Sequence, residues 1–242
     1  MKILNLGCGI KASSSPDVTN IDWAIYLRFR RNRLLRTIVP LWLKGERLDH
    51  FNSLPDNIVV YNLAKGIPYE SNSLDVVYHS HMLETLDRDI ASIFLMEVRR
   101  VLKPGGIQRI VAKDLEKTCR DYLSHILISD NNFAEASKHD FYIAAIIEES
   151  IRRESYGTSQ QKPLIRFIEN AILGDARRRG ETRQWFYDRI NLSALLVSLG
   201  YNYPQLQSYN TSLIPNWNEY GLDLDENGNE YKPESFYMEA QK

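Results

Sequence analysis

Short hydrophobic runs alternate with polar stretches along the first half of the chain. Continuous apolar runs, rather than strict alternation, are typical of strands that are covered on both faces, as in a parallel sheet. The pattern therefore predicts an α/β fold built on a doubly wound, mostly parallel sheet. The five runs are Ile3–Leu6, Val18–Ile21, Ile58–Leu63, Leu74–Tyr78 and Ile107–Ala112.

Helical spacing appears between the fourth and fifth runs. Apolar residues recur at three- and four-residue intervals from Ile90 to Leu102, and Lys103-Pro104-Gly105-Gly106 then ends the pattern. This is typical of a crossover helix with its stop signal. From Leu115 to about Gly174 the spacing is helical throughout, with Tyr122, Ile126 and Leu127 on one stripe. We interpret residues 116–184 as a helical insert in the sheet domain.

The last third of the chain predicts a helix and an antiparallel edge. Residues Asn191–Gly200 read as a short helix with an Asn cap and a terminating Gly. Two strand-like runs, Gln205–Ile214 and Ser235–Ala240, flank a polar stretch that contains the strong turn signal Asn227-Gly228. They predict an antiparallel hairpin at one edge of the sheet, within a single domain that spans residues 1–242.

The composition is that of a soluble protein with a full hydrophobic core. Of its 242 residues, 43% are hydrophobic and 25% are charged, which excludes disordered and fibrous classes. The formal net charge is -1, so no nucleic-acid partner is expected. Two cysteines, Cys8 and Cys119, do not make a disulfide framework. With no signal-peptide or membrane-spanning pattern, we expect a cytoplasmic protein.

One segment departs strongly from this even charge. Between Ala24 and Arg47 the net charge is +6, and apolar residues are interleaved with the arginines. This basic insert, about residues 24–57, has two interpretations. It is a lid whose apolar side packs on the domain, which we favour, or a surface that contacts a membrane or an anionic substrate.

A glycine-rich turn follows the first predicted strand. The residues Gly7-x-Gly9-x-x-Ala12 fit the dinucleotide-binding pattern, and Asp22 ends the second strand. In a nicotinamide-binding unit the acidic residue lies about 20 residues beyond the glycines, after a full helix. Here Asp22 follows Gly9 by 13 positions, which weakens the nicotinamide interpretation.

The order of the strand-end residues resembles the class I S-adenosylmethionine-dependent methyltransferases, especially the type 11 methyltransferase-like group. The similarity lies in Leu63–Tyr69, in Ser73–Tyr78 and in Leu102-Lys103-Pro104-Gly105-Gly106. It continues to the C-terminal residues, where Trp185–Arg189 and Lys232–Ala240 resemble segments of a bacterial subgroup. The resemblance covers nearly the whole chain and implies a Rossmann-like fold, a transferase activity and S-adenosylmethionine as the cofactor.

The resemblance also implies which residues contact that cofactor. Asp22 would accept hydrogen bonds from the ribose hydroxyls, and Asn62 and Leu63 would border the adenine. Asn5, Asn62 and Thr85 depart from the group, which often has acidic residues at the first two positions and His at the third. The expected cofactor contacts are Asn5, Gly7, Cys8, Gly9, Asp22, Trp23, Asn62, Leu63 and Ser80.

Methyl transfer from a sulfonium needs mainly proximity and alignment, and a base helps when the acceptor is a hydroxyl. His79, His81 and Asp114 follow predicted strands at the cofactor edge and are the candidate bases. Cys8 is a weaker nucleophile candidate, because no His or Asp stands at a recognisable spacing. A calcium-loop pattern runs from Asp223 to Glu234, but its flanking sequence predicts a hairpin instead, so no metal is expected.

Three functions remain open from the sequence. The favoured one is methyl transfer to a small-molecule or glycan-linked acceptor. The others are a nicotinamide-dependent oxidoreductase and a cofactor-binding protein of the same fold without turnover. The acceptor and the oligomeric state are not predicted.

Overall fold

In the computed structural model, the described residues are 1–32, 37, 48, 51–52, 55–129, 138–151 and 182–242. They contain a seven-stranded sheet in the order β3-β2-β1-β4-β5-β7-β6. Strand β7 runs antiparallel to both of its neighbours, and the other pairings are parallel. The strands are β1 (Ile3–Leu6), β2 (Val18–Asp22), β3 (Ile58–Val60), β4 (Leu74–Ser80), β5 (Leu102–Lys113), β6 (Asn202–Gln207) and β7 (Ser235–Gln241).

The five predicted hydrophobic runs all contain strands, and the mostly parallel sheet is confirmed. All four residues of β1 are buried, as expected for a strand covered on both faces. The predicted antiparallel edge is also confirmed, although β6 ends at Gln207 rather than at Ile214. The late strand β7 does not lie at the edge, because it is inserted between β5 and β6.

Five α-helices are found in the described residues. They are α1 (Ile25–Arg31), α2 (Arg88–Val101), α3 (Leu115–Ser129), α4 (His139–Ile151) and α5 (Arg189–Ser198). Helix α2 is the predicted crossover, and its Ala91, Leu95 and Val98 are completely buried against the sheet. Leu192 and Leu196 of α5 join the same core, so these two helices cover one face.

The opposite face of the sheet is covered partly by an irregular segment. Ile214, Trp217 and Leu222 pack on Val76 and Tyr78 of β4. A buried arginine of β5, Arg109, fixes this segment through ion pairs and hydrogen bonds. The late polar stretch is therefore an integral layer of the core rather than a simple surface loop.

Two details of the predicted helices were wrong. Helix α5 begins after Asp188, whose side chain accepts hydrogen bonds from the backbone N–H groups of Ile190 and Asn191. Asn191 is the third residue of the helix and completes a capping box, so it is not the cap itself. In α3, Leu127 is 73% exposed and His125 is the buried residue, whereas Tyr122 and Ile126 of the predicted stripe are half-buried.

Part of each predicted insert falls outside the described residues. Residues 33–36, 38–47 and 152–181 are among them, so most of the basic segment and the later half of the helical insert are not assessed. The described start of the basic segment packs Leu27 into a small core with Cys8, Phe51 and Ile58. In the part of the chain that the structure describes, no helix is both long enough and apolar enough to cross a membrane.

Candidate active site

The carboxyl ends of the central strands bring the expected cofactor residues to one edge of the sheet. Leu6 of β1 pairs with Ile21 of β2 on one side and with His79 of β4 on the other. Consequently the glycine turn after β1, Asp22 and Ser80 lie next to one another. This edge, at the point where the strand order reverses, is where open α/β sheets bind ligands.

The glycine turn is shaped by two residues with positive φ. Gly7 has φ 62°, and a Cβ atom placed there would lie 2.9 Å from Met82 Sδ. Gly9 has φ 54°, and a Cβ atom there would meet no atom within 4 Å. A side chain at Gly7 would be strained by the positive φ and would displace the Met82 side chain, whereas Gly9 borders open space in which a ligand can approach the backbone.

Asp22 holds this turn in place. Its Oδ2 accepts a hydrogen bond from Gly9 N at 2.8 Å, and its Oδ1 accepts one from Ala24 N at 2.7 Å. A carboxylate offers about four lone-pair positions, so each oxygen can accept one more hydrogen bond. The half-buried Asp22 can therefore bind a pair of hydroxyl groups without releasing the loop.

Asn5 does not face this space. Its side chain is buried, and Nδ2 donates to Lys11 O and to Asn20 Oδ1, both at 3.0 Å. Asn20 in turn holds the backbone of Ser13 in both directions. Because these bonds occupy its amide, Asn5 builds the turn from behind and is not a side-chain contact for the cofactor.

Cys8 is buried under the turn, next to Leu27. Burial, together with the nearby charge of Asp22, raises the pKa of its thiol far above the ordinary range. The thiolate is the nucleophilic form of cysteine, so this environment keeps Cys8 unreactive. Its contribution to a ligand site is limited to the backbone of the turn.

The remaining expected cofactor residues surround the same edge. Trp23 is 43% exposed, and the guanidinium of Arg28 lies 4.6 Å from the centre of its ring. Asn62 caps a short 3-10 turn over Leu63–Lys65, because its Oδ1 accepts from Ala64 N at 3.0 Å. Apart from this bond, the side-chain amide of Asn62 makes no hydrogen bond within the described part of the chain.

His79 is excluded as a base by its surroundings. It is completely buried, packs edge-on against Phe94 and accepts at Nε2 from the Gln108 amide at 3.0 Å. Burial lowers its pKa to about 4, with a smaller opposing effect of Glu84. A neutral, inaccessible imidazole cannot take a proton from an acceptor, so the structure contradicts the prediction that His79 is a base.

His81 has the opposite environment. It follows β4 with φ 52°, which is uncommon for a residue other than glycine. Its Nδ1 lies 2.9 Å from Glu84 Oε1, and its Nε2 lies 2.9 Å from Ser235 Oγ. A strained backbone that is fixed on both sides by polar partners is typical of functional positions. His81 thus has the geometry of an oriented base.

Glu84 was not among the predicted site residues. Its carboxylate is almost fully buried, beside His81 and 4.0 Å from Arg183 Nε. Burial raises its pKa, but the hydrogen bond and charge of His81, together with its own backbone N–H and the charge of Arg183, outweigh that effect and hold the pKa below its usual value. The three-residue spacing from His81 was the available signal for Glu84. Ser235, 154 residues from His81, gave no local signal.

Asp114 is a helix cap. Its Oδ1 accepts from Lys117 N at 2.9 Å, and its backbone oxygen accepts from Thr118 N, so it begins α3. The neighbouring Lys113 pairs with Glu234. Because the Asp114 carboxylate already has a structural task, the described contacts favour His81 over Asp114 as the base.

The calcium-loop pattern folds as a hairpin. Asp223 is buried and pairs with Arg109, while Asp225 accepts from the backbone of Asn227 and Asn229. Leu224 and Glu230 form an antiparallel bridge across the turn. Within the described ranges, no group of three or more His, Cys, Asp or Glu side chains is suited to a metal ion.

Comparison with known proteins agrees with this arrangement. The strand order, with an antiparallel strand inserted next to the edge, and the carboxylate after β2 are the features that the sequence resemblance leads us to expect. Residues 43–110 match the family described as "Methyltransferase domain". The match spans 68 of the 242 residues, from before β3 into β5, and it supports the methyltransferase interpretation of the sequence.

Solved structures are similar at low identity. A methyltransferase from Methanosarcina mazei is 18% identical, with 100% of this chain and 92% of that chain covered and a TM-score of 0.43. One from Archaeoglobus fulgidus is 14% identical, with 100% and 86% covered and a TM-score of 0.42. Among curated proteins, no match to the chain is found.

The described residues fit S-adenosylmethionine as the cofactor. Gly9 leaves open space in front of the turn, and both oxygens of Asp22 retain the capacity to accept hydrogen bonds from a ribose. The exposed ring of Trp23 lies beside Asp22 and offers an apolar surface. These three features lie along the edge formed by β1 and β2.

Proposed function

We propose that the protein methylates a hydroxyl group of a small-molecule or glycan-linked acceptor, with His81 as the base. The observation that carries the proposal is the chain of contacts Glu84–His81–Ser235 at the end of β4. A hydroxyl acceptor benefits from such a base because its proton must leave as the new bond forms.

We infer the following cofactor contacts. The backbone of Gly7, Cys8 and Gly9 would border the amino-acid part, and Asp22 would accept hydrogen bonds from the ribose hydroxyls. Around the adenine and the reacting centre would lie Trp23, Asn62, Leu63 and Ser80. Their placement at adjoining strand ends supports this assignment.

When bound, the cofactor supplies a methyl group on a sulfonium that leaves as a neutral thioether. The protein therefore contributes mainly alignment and exclusion of water. The rigid ends of β1 and β4, which are hydrogen-bonded to each other, keep the glycine turn and His81 in a constant relation. The acceptor oxygen must lie between these two groups.

His81 can handle the proton in either of its charge states. We infer that Nδ1–H faces the Glu84 carboxylate 2.9 Å away, so the free lone pair of the neutral ring is at Nε2, 2.9 Å from Ser235 Oγ. The Ser235 hydroxyl can donate either to this nitrogen or to Lys232 O. After protonation, Nε2–H donates to Ser235 Oγ, which turns its own proton to Lys232 O at 2.8 Å. We infer that Ser235 relays the acceptor proton to His81, giving up its proton to Nε2 as it receives the other.

Calorimetric titration with S-adenosylmethionine and with S-adenosylhomocysteine tests the foundation of the proposal. We expect both to bind, and failure of both would sink it. Methyl transfer would then be measured from labelled S-adenosylmethionine to a panel of sugars, glycan fragments and small phenols. Binding without transfer to any acceptor would instead favour a protein of this fold without turnover.

The role of His81 is tested with His81→Asn, because Asn tolerates the left-handed backbone at this position. We expect a fall in kcat of about 100-fold, typical of losing a general base, with cofactor affinity unchanged. Ser235→Ala should lower kcat as well, by interrupting the relay. Unchanged kcat in His81→Asn would refute the base assignment.

A further inference from the structure

A cavity of about 390 Å³ lies between the first turn of α2 and the start of α5. None of the residues that line it is a proposed cofactor contact or the candidate base. Its lining combines an aromatic ring, a cation and several hydrogen-bonding groups. The residues that matter are Arg88, Asp89, Ser92, Trp185, Tyr187 and Asn191.

This cavity is coupled to the base through one residue. The backbone N–H groups of Gln184 and Trp185 both donate to Glu84 O, at 2.7 and 3.2 Å. The side chain of the same Glu84 holds His81. Glu84 therefore connects the segment that carries Trp185 to the candidate base.

The aromatic wall is open to a ligand. Trp185 is 38% exposed, whereas Tyr187 is buried behind it. Burial raises the pKa of Tyr187 to about 12, so its phenol stays protonated and can donate a hydrogen bond. A partly exposed indole in a concave site provides an apolar platform on which a ring can pack.

Arg88 supplies the charge. Its guanidinium lies 4.3 Å from the centre of the Trp185 ring, and it forms no ion pair with any carboxylate of the described residues. A guanidinium that stacks on an aromatic ring keeps its N–H edges for hydrogen bonds and favours bidentate carboxylate or phosphate partners. Arg183, beside Glu84, adds a second positive charge on this side.

The other polar groups suit neutral hydroxyls. Asp89, in the first turn of α2, is an acceptor, and Ser92 Oγ donates to Arg88 O at 3.2 Å while keeping acceptor capacity. The amide of Asn191 is already used in the α5 capping box and by Phe186 O. The cavity thus offers an apolar platform, hydroxyl partners and one cation.

We propose that this cavity is the acceptor subsite and that it binds a sugar ring carrying a carboxylate or a phosphate group. The proposal rests on the proposed function, since it names the acceptor class of the same site. The ring packs on Trp185, its hydroxyls contact Asp89 and Ser92, and its anionic group pairs with Arg88. The hydroxyl to be methylated is directed to the Ser235–His81 pair.

Binding of free sugars tests the subsite without requiring turnover. Glucuronic acid, glucose 1-phosphate and glucose are titrated into the protein and followed by ligand-observed NMR at millimolar concentration. We expect at least one of the two anionic sugars to bind more tightly than glucose, by about tenfold, and their comparison distinguishes carboxylate from phosphate. No binding of either anion, or equal binding of glucose, overturns the proposal.

Variants locate the binding. Arg88→Met should weaken the anionic sugar about tenfold, and Trp185→Ala should weaken all the sugars that bind. Arg99→Met, at the far end of the same helix, is the matched control and should change nothing. If Arg88→Met lowers the melting temperature, Arg88→Lys replaces it, because Lys keeps the positive charge but cannot form the two parallel hydrogen bonds of a guanidinium. Unchanged affinity in the Arg88 and Trp185 variants would place the binding elsewhere and refute the subsite.

Cofactor calorimetry on the same variants separates the two proposals. We expect S-adenosylmethionine to bind the Arg88 and Trp185 variants as it binds the parent protein. Sugar binding without cofactor binding would support the subsite and reject the proposed function. Cofactor binding without sugar binding would refute the subsite and leave the methyl-transfer proposal standing.

Discussion

At Asp22 a single carboxylate serves two purposes. It holds Gly9 and Ala24 by their backbone N–H groups, and it keeps lone pairs for a ligand. Asp22→Asn preserves the shape but puts an amide donor where an acceptor is required. We expect S-adenosylmethionine affinity, measured by calorimetry, to fall at least about tenfold, the usual scale for losing hydrogen bonds to a charged group.

The control for Asp22 lies on the same strand. Asp17 precedes β2 at its opposite end, where it pairs with the N-terminal amine at 3.3 Å. Asp17→Asn changes the same charge but is remote from the glycine turn. Equal losses of affinity in the two variants would show that charge, and not the position of Asp22, governs binding.

His79 predicts a pH-dependent stability. Its pKa is lowered to about 4 in the folded protein, mainly by burial, from an ordinary value of 6.5. Below pH 6.5 the unfolded chain therefore binds a proton that the folded chain does not, so stability falls as the pH decreases toward 4. The loss from this residue is about 3 kcal/mol, taking 1.4 kcal/mol for each pH unit.

Urea unfolding between pH 7 and pH 4 measures this contribution. His79→Gln retains a partner for the Gln108 amide but does not titrate. The difference in unfolding free energy between the parent protein and His79→Gln should therefore shrink as the pH falls, because the contributions of other groups cancel. Parallel pH profiles of the two proteins would contradict the assignment.

At the scale of elements, the start of α5 shows how local chemistry positions the site. Asp188 accepts from two backbone N–H groups, and Asn191 returns a hydrogen bond to Asp188 N. Asp188→Ala should lower the free energy of unfolding by about 1 kcal/mol, as measured by denaturant titration. It should also loosen the wall of the cavity between α2 and α5, which Asn191 helps to line.

Asp87, which precedes α2, provides the comparison. Its side chain makes no capping hydrogen bond, although it has the same residue type in the same position. Asp87→Ala should therefore cost less stability than Asp188→Ala. The opposite ranking would mean that capping is not what Asp188 contributes.

The strands were largely predictable, because a buried parallel strand leaves a continuous apolar run. Ile3–Leu6 was confirmed to the residue. The start of β5 was not predicted. Lys103–Gly106 indicates the end of a helix, but these residues lie within the strand, where the pairing with β4 is irregular near Leu74. Turn residues announce a break in a helix but do not show whether the next strand has already begun.

The site was predictable only where its residues follow strands. Asp22 and His81 were found because each comes directly after an apolar run. Glu84 and Ser235 depend on tertiary contacts. His79 lies within β4, where Phe94 of α2 covers it, whereas His81 comes just after the strand ends. Strand residues two positions apart face the same side, so alternation does not separate the two histidines, and the sequence did not reveal that the strand ends between them.

At the scale of the whole molecule, a buried ionic network connects the last quarter of the chain to the sheet. Arg109 is fully buried and pairs with Asp223 at 2.8 Å and with Glu239 at 2.6 Å. Tyr78 and Trp217 complete the hydrogen bonding of Asp223. Every charge in this network has a partner, so removing one member leaves the others buried without compensation.

Arg109→Met should consequently lower the free energy of unfolding by about 3 to 5 kcal/mol. Arg120→Met is the matched control, since the Arg120 side chain is 70% exposed and, among the described residues, pairs with Glu116 on the helix surface. The control should cost less than about 1 kcal/mol. Similar midpoints for the two variants in thermal unfolding would show that the buried network is dispensable.

The position of β7 has a consequence for synthesis on the ribosome. Residues 235–241 lie between β5 and β6, so a nascent chain cannot complete the sheet until this late segment has emerged. Arg109 must also wait for partners that are 114 and 130 residues downstream. Until residues 235–241 emerge, β5 therefore presents an unpaired edge and an uncompensated charge, and completion of the sheet is expected to be slow.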